Sequence, residues 1–189
     1  MKKNKYFILR HGEAYSNKKE IISCWPEKIY NPLTPKGRKQ IESAAQKLKK
    51  KKIDLIFSSD IFRTRQTAEI VARELKLKPI FDKRLREYNM GTFNGKPIKE
   101  VRKIFPVGAK RFKVRPPQGE TYSEIKDRML DFLRETDKKY TGKNILIVSH
   151  EIPLTILEGT NKGFSDKEIL KKYSKEKRIK TGEIRSLVF

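Results

Sequence analysis

Short apolar runs alternate with amphipathic helical patterns along this chain. Five runs have the length and composition of strands, at residues 6–9, 54–59, 79–81, 144–150 and 184–189. The run at 144–150 is the most apolar, which is typical of a central strand that is buried on both faces, and 184–189 is expected at an edge. The alternation predicts an α/β fold, a three-layer α/β/α sandwich with a mostly parallel central sheet.

Three long helices are predicted between these runs, each after a residue that can cap its first turn. The expected caps are Thr34, Ser59 or Asp60, and Thr121. The expected buried faces are Ile41, Ala44, Ala45 and Leu48, then Ala68, Val71, Ala72 and Leu75, then Ile125, Met129, Phe132 and Leu133. Weaker helical patterns occur near 98–104, 154–158 and 166–173.

No internal repeat, linker or composition boundary divides the chain, so a single domain over 1–189 is expected. Residues 87–119 are rich in Gly and Pro and are expected to form a lid-like insertion. The basic stretch 171–180 could be a lid, a helix end or a surface arm, and its alternating charges favour a solvated helix.

The chain carries a large excess of basic side chains. The chain has 46 basic and 23 acidic side chains and a net charge of +23. Such a charge attracts anionic ligands and makes non-specific nucleic-acid binding possible, although the lysines lie mostly on predicted helix faces. No apolar run approaches the ~18 residues of a membrane span, so no membrane partner is expected. The apolar stretch 6–9 is too short for the core of a signal peptide, about 7–15 residues, so a cytoplasmic location is expected. The single cysteine, Cys24, excludes an internal disulfide and is expected to be a buried apolar filler.

Candidate chemistry lies where the strands end. Arg10 and His11 follow the first strand, Arg63 follows the second, and His150 follows the fourth. Carboxyl ends of parallel strands meet at one edge of a sheet, where ligands bind. A single histidine at a strand end is commonly structural, but both histidines of this chain occupy such positions. A neutral imidazole beside a guanidinium suits phosphoryl transfer, because Arg donors match phosphate oxygens.

Six motifs, in order, extend this pattern over almost the whole chain. They are Leu9-Arg10-His11-Gly12-Glu13, Leu33-Thr34-Pro35-Lys36-Gly37 with Gln40, Ser58-Ser59-Asp60-Ile61-Phe62-Arg63, Leu85-Arg86-Glu87 with Gly91 and Gly95, Pro117-Gln118-Gly119-Glu120-Thr121, and Val148-Ser149-His150. By these motifs the chain resembles the histidine phosphatase superfamily, in its phosphoglycerate-mutase-like branch.

The resemblance implies a role for each matching residue. His11 would be the nucleophile that carries a phosphoryl group, and Glu87 would be the general acid and then the general base. Arg10, Arg63 and His150 would surround the phosphoryl oxygens, with His150 best protonated for that task. Asn17 falls where the family often has a phosphate-contacting Asn. The arginines would supply the positive charge, so no metal and no other cofactor is expected.

The chain departs from the family pattern at two positions. Ala14 stands where the family commonly has Ser or Thr, so one hydroxyl contact to phosphate is missing. Glu151 stands where the family usually has Gly, which adds negative charge close to an anion site. Glu151 could point away, tune His150 or contact a substrate hydroxyl, and a helix is expected to begin there, with Pro153 in its first turn. These departures bear on substrate choice.

The function expected from the resemblance is metal-independent hydrolysis of a small phosphorylated metabolite through a phosphohistidine. One alternative is a phosphoglycerate-type mutase, whose members are generally longer, with extra segments over the site. Another is an anion- or nucleic-acid-binding protein on the same fold. Lid side chains are expected to select the substrate, namely Tyr88, Asn89, Phe93, Arg111 and Arg115. Arg111 and Arg115 could grip a second anionic group. The oligomeric state is not predicted.

Overall fold

The computed structural model describes residues 3–173 and 177–187. Its centre is a five-stranded sheet with the order β3-β2-β4-β1-β5. The strands are β1 (Lys5–Arg10), β2 (Leu55–Ser58), β3 (Pro79–Phe81), β4 (Asn144–Ser149) and β5 (Ile184–Leu187). β4 is parallel to both β1 and β2, β2 is parallel to β3, and only β5 runs antiparallel, beside β1. The predicted central position of β4 and edge position of β5 are confirmed; Val188 and Phe189, part of the predicted last strand, lie outside the described residues.

Seven α-helices surround the sheet in the described ranges. They are α1 (Tyr15–Lys18), α2 (Pro35–Lys49), α3 (Phe62–Leu75), α4 (Ile98–Ile104), α5 (Tyr122–Lys139), α6 (Glu151–Asn161) and α7 (Asp166–Lys172). α6 begins at Glu151, as predicted from Pro153. α7 ends at Lys172, so the basic stretch 171–180 begins with a helix end. The prediction of a solvated helix is wrong for residues 177–180, which are not helical, and residues 174–176 lie outside the described residues. No helix in 3–173 or 177–187 is long and apolar enough to cross a membrane.

Alternating strand residues divide the core between the two faces of the sheet, because successive side chains of a strand point in opposite directions. Ile8 and Ile147 belong to the cluster that includes Met129 of α5, whereas Leu9 and Val148 belong to the cluster on α2 and α3. Helices thus cover both faces, which confirms the predicted α/β/α layering.

Two of the three predicted caps are confirmed. The Thr34 side chain accepts a hydrogen bond from Gly37 N, and Thr121 forms a capping box with Glu124. The prediction of Ser59 or Asp60 as the cap of α3 is wrong, because the N-cap residue is Ile61 and has no side-chain cap. Glu27, distant in sequence, instead accepts a hydrogen bond from Phe62 N at 3.0 Å.

The expected lid-like insertion, 87–119, is closely packed. It contains α4 and two short 3₁₀ helices, Gly91–Phe93 and Gly108–Phe112. Its buried apolar side chains join the α5 face of the core: Tyr88, Met90, Phe93, Val101, Phe105 and Phe112. The insertion is therefore a structural part of the described fold, and its role as a lid stays a prediction.

Candidate active site

Three neighbouring strands bring the candidate residues together. β2, β4 and β1 lie side by side and parallel, so their carboxyl ends share one edge. His11 N donates a hydrogen bond to Ser149 O at 3.1 Å, and Ser59 N donates one to Val148 O at 3.0 Å. These main-chain bonds hold the chain just beyond each strand, where His11, Ser59 and His150 project.

The two histidines share one buried guanidinium. Their ring centroids are 5.2 Å apart. Arg63 Nε lies 3.2 Å from His11 Nε2, and Arg63 Nη2 lies 3.0 Å from His150 Nδ1. Arg63 is only 2% exposed, so its charge acts on both rings with little screening by solvent.

The hydrogen bonds define which ring nitrogens carry protons. His11 Nδ1 lies 2.7 Å from Gly12 O, an oxygen that can only accept, so Nδ1 carries the proton. Its Nε2 therefore holds a lone pair, which accepts from Arg63. His150 Nδ1 likewise accepts from Arg63, which places its proton on Nε2, 3.0 Å from Ser59 Oγ. Both rings are neutral in this network.

Electrostatics favours the same protonation state. Burial, followed by the charge of Arg63, holds the pKa of His11 well below its usual 6.5. The pKa of His150 is lowered by the same two causes. The His11 imidazole is thus neutral at neutral pH, with the lone pair of Nε2 available. The expected imidazolium at His150 is not the state that these protein groups favour; the charge of a bound phosphoryl group acts in the opposite direction.

Arg63 is anchored from a segment in which sequence reasoning identified no site residue. Its Nη1 lies 3.3 Å from Ser23 Oγ, and its Nη2 donates to Ser23 O at 3.1 Å. Asn31 Nδ2 donates to the same Ser23 Oγ at 3.0 Å. Ser23 has no periodic or motif signal in the sequence, and its role follows only from how this segment folds over α3.

Arg10 is held by contacts of a single guanidinium nitrogen, Nη1. Nη1 lies 2.6 Å from Glu151 Oε2 and 3.0 Å from Ile179 O. Nε is buried and has no hydrogen-bond partner within the described residues. An unpaired buried N–H is costly, and this one is a donor that a ligand could use; the contact of Arg10 with phosphate stays a prediction.

Glu87 approaches the histidines from the start of the insertion. Its Oε2 lies 4.0 Å from His150 Nδ1, and its Oε1 accepts from Tyr88 N at 2.9 Å. Burial raises the pKa of Glu87, and Glu151 raises it further, whereas Arg63 opposes both. The side chain is still 18% exposed. A carboxyl group of this kind can hold a proton and exchange it with a bound substrate or water.

Two remaining candidates have structural contacts. Asn17 Oδ1 accepts a hydrogen bond from Ala14 N at 2.9 Å in the turn after His11, and its phosphate contact stays a prediction. Glu151 pairs with Arg10 and, through Oε1 at 3.1 Å, with Arg178. Its predicted contact with a substrate hydroxyl also stays a prediction.

Most of the side chains expected to select the substrate are buried or make contacts within the protein. Tyr88 and Phe93 are buried in the core. Arg111 Nε donates to Pro106 O at 2.7 Å, and Arg115 pairs with Glu124 at 2.7 Å. The predicted grip of the two arginines on a second anion therefore stays a prediction. Cys24 is buried as predicted, and burial raises the pKa of its thiol to about 11.

Two glycines allow the chain after His11 to pass close to α2. A Cβ on Gly12 would lie 2.4 Å from Gly37 O, and one on Gly37 would lie 2.0 Å from Glu13 O. Both contacts are with main-chain atoms that cannot move aside cheaply. The glycines thus allow the close approach that places His11 opposite Arg63.

Among the described residues, no group of three His, Cys, Asp or Glu side chains is arranged to hold a metal ion.

The family follows from a comparison of sequences. The model of the histidine phosphatase superfamily (branch 1) matches residues 6–171. The chain therefore belongs to this superfamily, which confirms the resemblance drawn from the motifs.

Named relatives and solved structures extend this result. The probable phosphoglycerate mutase GpmB of Yersinia enterocolitica is 34% identical over 161 residues, which cover 82% of this chain and 73% of that protein. The protein of that name from Escherichia coli is 35% identical over 161 residues, which again cover 82% of this chain and 73% of that protein. YhfR of Bacillus stearothermophilus is 27% identical, with a TM-score of 0.78 and coverage of 88% of this chain and 83% of that one.

More distant structures share the fold. A mycobacterial glucosyl-3-phosphoglycerate phosphatase has a TM-score of 0.84 at 20% identity, covering 96% of this chain and 91% of that one. The alpha-ribazole phosphatase from Shigella flexneri has a TM-score of 0.81 at 21% identity, covering 96% and 89%. The similar proteins thus carry the names of phosphatases and of a mutase.

Proposed function

We propose that this protein hydrolyses the phosphomonoester of a small metabolite through a phosphohistidine at His11. The observation that carries the proposal is the state of that imidazole. Its Nδ1 proton is held by Gly12 O, its Nε2 lone pair faces Arg63, and its pKa is held low by burial. A nucleophile of this kind needs no separate base to activate it.

The first step transfers the phosphoryl group. His11 Nε2 attacks phosphorus as the bond between phosphorus and the ester oxygen breaks, and the leaving oxygen takes the proton of Glu87. Arg63 and the unpaired Nε of Arg10 donate to the phosphoryl oxygens and offset their charge. His150, 4.0 Å from Glu87, lies on the same side of the site.

The second step releases phosphate. The Glu87 carboxylate takes a proton from water, whose oxygen attacks phosphorus while the bond between phosphorus and Nε2 breaks. Inorganic phosphate leaves, and His11 and protonated Glu87 are regenerated. The positive charge in both steps comes from protein side chains, so the proposed reaction has no metal-dependent step.

A phosphoglycerate mutase is the second candidate, favoured by the name of the relatives at 34% and 35% identity. Mutases of that name act on a substrate that has a carboxylate besides its phosphate. Here Glu151 lies on Arg10, with Glu87 close enough for their charges to interact. The Glu151 carboxylate repels a substrate carboxylate at this end of the site, which favours hydrolysis of an ester whose alcohol is uncharged.

Phosphate release from an aryl phosphate and from a panel of phosphorylated metabolites, in EDTA, tests the proposal. We expect release by the parent protein and none by His11→Ala. Arg63→Gln should lower activity severely. Arg65 lies on the same helix, but its guanidinium is stacked 4.5 Å from the centre of the Phe81 ring, so Arg65→Gln should retain activity. Conversion of 3-phosphoglycerate to 2-phosphoglycerate without phosphate release would instead establish the mutase.

A further inference from the structure

Glu151 joins three parts of the molecule at the edge of the site. It is the first residue of α6 and directly follows His150. Its Oε2 lies 2.6 Å from Arg10 Nη1 at the end of β1, and its Oε1 lies 3.1 Å from Arg178 Nη1 in the segment before β5. One carboxylate is thus shared between two guanidinium groups.

This bridge occupies Arg10 in a defined way. The two N–H groups of Arg10 Nη1 have two acceptors, Glu151 Oε2 and Ile179 O, while the buried Nε has no partner among the described residues. A phosphoryl group on His11 Nε2 therefore meets the donors of Arg10 together with the negative charge of Glu151. The side chains of Arg10 and Glu151 are 12% and 26% exposed, so solvent screens that charge incompletely.

We propose that the Glu151 carboxylate acts as a built-in counter-ion to Arg10 in the phosphate site. Its negative charge weakens the binding of phosphate and so promotes release of the product. The proposal rests on the function proposed above, in that Arg10 binds the phosphoryl group. Glu151 competes for the positive charge of Arg10 and repels the phosphate dianion. Arg178 limits this effect, because it draws the same carboxylate away from Arg10 and neutralises part of its charge.

The two partners of the bridge therefore have opposite effects on phosphate affinity. Glu151→Gln keeps a side-chain oxygen that can accept from Arg10 but removes the charge, so phosphate should bind more tightly. Arg178→Gln leaves Glu151 with Arg10 alone and removes a nearby positive charge, so phosphate should bind more weakly. A role for the bridge in stability alone predicts no such opposition.

Glu158 supplies a matched control on the same helix. Its carboxylate also bridges two basic side chains, Lys162 at 3.0 Å and Arg185 at 2.8 Å. It lies two helical turns beyond Glu151, away from His150. Glu158→Gln removes the same charge from the same helix without touching Arg10, so the affinity for phosphate should remain that of the parent.

Calorimetric titration with inorganic phosphate measures these affinities without turnover. We expect the dissociation constant to fall roughly tenfold in Glu151→Gln and to rise severalfold in Arg178→Gln, the scale of a close pair of partly screened charges. The effect of Arg178→Gln should shrink when Glu151→Gln is also present, because the two residues then no longer interact. Thermal melting shows that each variant is folded.

The outcomes separate the inference from the proposed function. If the parent binds phosphate and Glu151→Gln binds it equally or more weakly, the counter-ion is disproved while the phosphatase stands. If Glu151→Gln binds more tightly but no variant releases phosphate from any ester, the counter-ion stands and the hydrolase is disproved. A parent protein that binds no phosphate contradicts both.

Discussion

His11 and His150 both contact the Arg63 guanidinium, but the second nitrogen of each ring has a different hydrogen-bond partner. His11 is oriented by the carbonyl of the next residue, Gly12, whereas His150 is oriented by the hydroxyl of Ser59. The difference places the lone pair on Nε2 of one ring and on Nδ1 of the other. Both lone pairs point to the same guanidinium. In the proposed hydrolysis, a phosphoryl group bound there meets His11 as the nucleophile and His150 as a ring that can gain a proton.

The pH dependence of catalysis follows from two pKa shifts. His11 must be neutral, and burial holds its pKa well below 6.5, so activity should persist when the pH falls somewhat below that value. Glu87 must be protonated, and burial raises its pKa above the usual 4.5, so activity should fall as the pH rises through that raised value. A profile of kcat/KM against pH should be bell-shaped. An acid limb at or above 6.5 would contradict the assignment of His11.

Glu87→Gln isolates the proton donor. It should lower kcat for an alkyl phosphate by roughly 100- to 10,000-fold, the usual contribution of a general acid. The loss in the first step should be smaller for an aryl phosphate, whose oxygen leaves without a proton. Values of kcat/KM for the two esters report the steps up to phosphoryl transfer and check this, and equal losses of kcat/KM would show that Glu87 does not protonate the leaving group.

Most ionisable side chains of the candidate site could be predicted from the sequence, because strand ends and motifs are local signals. Arg10, His11, Arg63, Glu87 and His150 are all brought together by the fold. Ser23 and Arg178 could not be predicted, since each contacts the site only through long-range folding. Glu151 was recognised as unusual, but its two ion pairs depend on a segment distant in sequence.

At the scale of elements, helix starts were predictable where a nearby side chain does the capping. Thr34 and Thr121 cap within their own turns. The start of α3 was not predictable in this way, because Glu27 reaches its first N–H group from another segment. The buried faces of α2 and α5 follow from periodicity alone, since every residue expected there is buried.

The capping box of α5 should be measurable in the stability of the protein. Thr121 Oγ1 accepts from Glu124 N at 3.2 Å, and Thr121 N donates to Glu124 Oε2 at 2.7 Å. Thr121→Ala removes that acceptor and should lower the free energy of unfolding by about 1 kcal/mol. Thr121→Ser keeps the oxygen and should remain close to the parent in denaturant unfolding. Equal losses in the two variants would show that the methyl group, rather than the cap, matters.

For the molecule as a whole, the layered fold was predictable because short apolar runs alternate with amphipathic helical patterns along the chain. The strand order was only partly predictable, since neighbours such as β2 and β4 are remote in sequence. The packing of residues 87–119 was also missed. Its Gly and Pro content indicated a loop, whereas its aromatic side chains fill part of the core.

The net charge of +23 should make stability depend on salt. We expect self-repulsion of the folded chain to outweigh individual surface ion pairs, each worth at most about 1 kcal/mol. Added sodium chloride should therefore raise the melting temperature. The variant Lys47→Glu/Lys50→Glu, with both exposed lysines reversed in charge, should show a smaller rise. A melting temperature that falls with salt would indicate that the ion pairs dominate. Salt-sensitive, non-specific binding of nucleic acid stays a prediction.

The proposed phosphohistidine at His11 can be trapped. Glu87→Gln should accumulate the intermediate from an aryl phosphate, because the transfer step needs little acid while hydrolysis lacks its base. After an alkaline quench and proteolysis, mass spectrometry should find an acid-labile phosphoryl group on His11 and none in His11→Ala/Glu87→Gln. Phosphate release by the parent without any phosphoryl group on His11, or with one on another residue, would contradict the account.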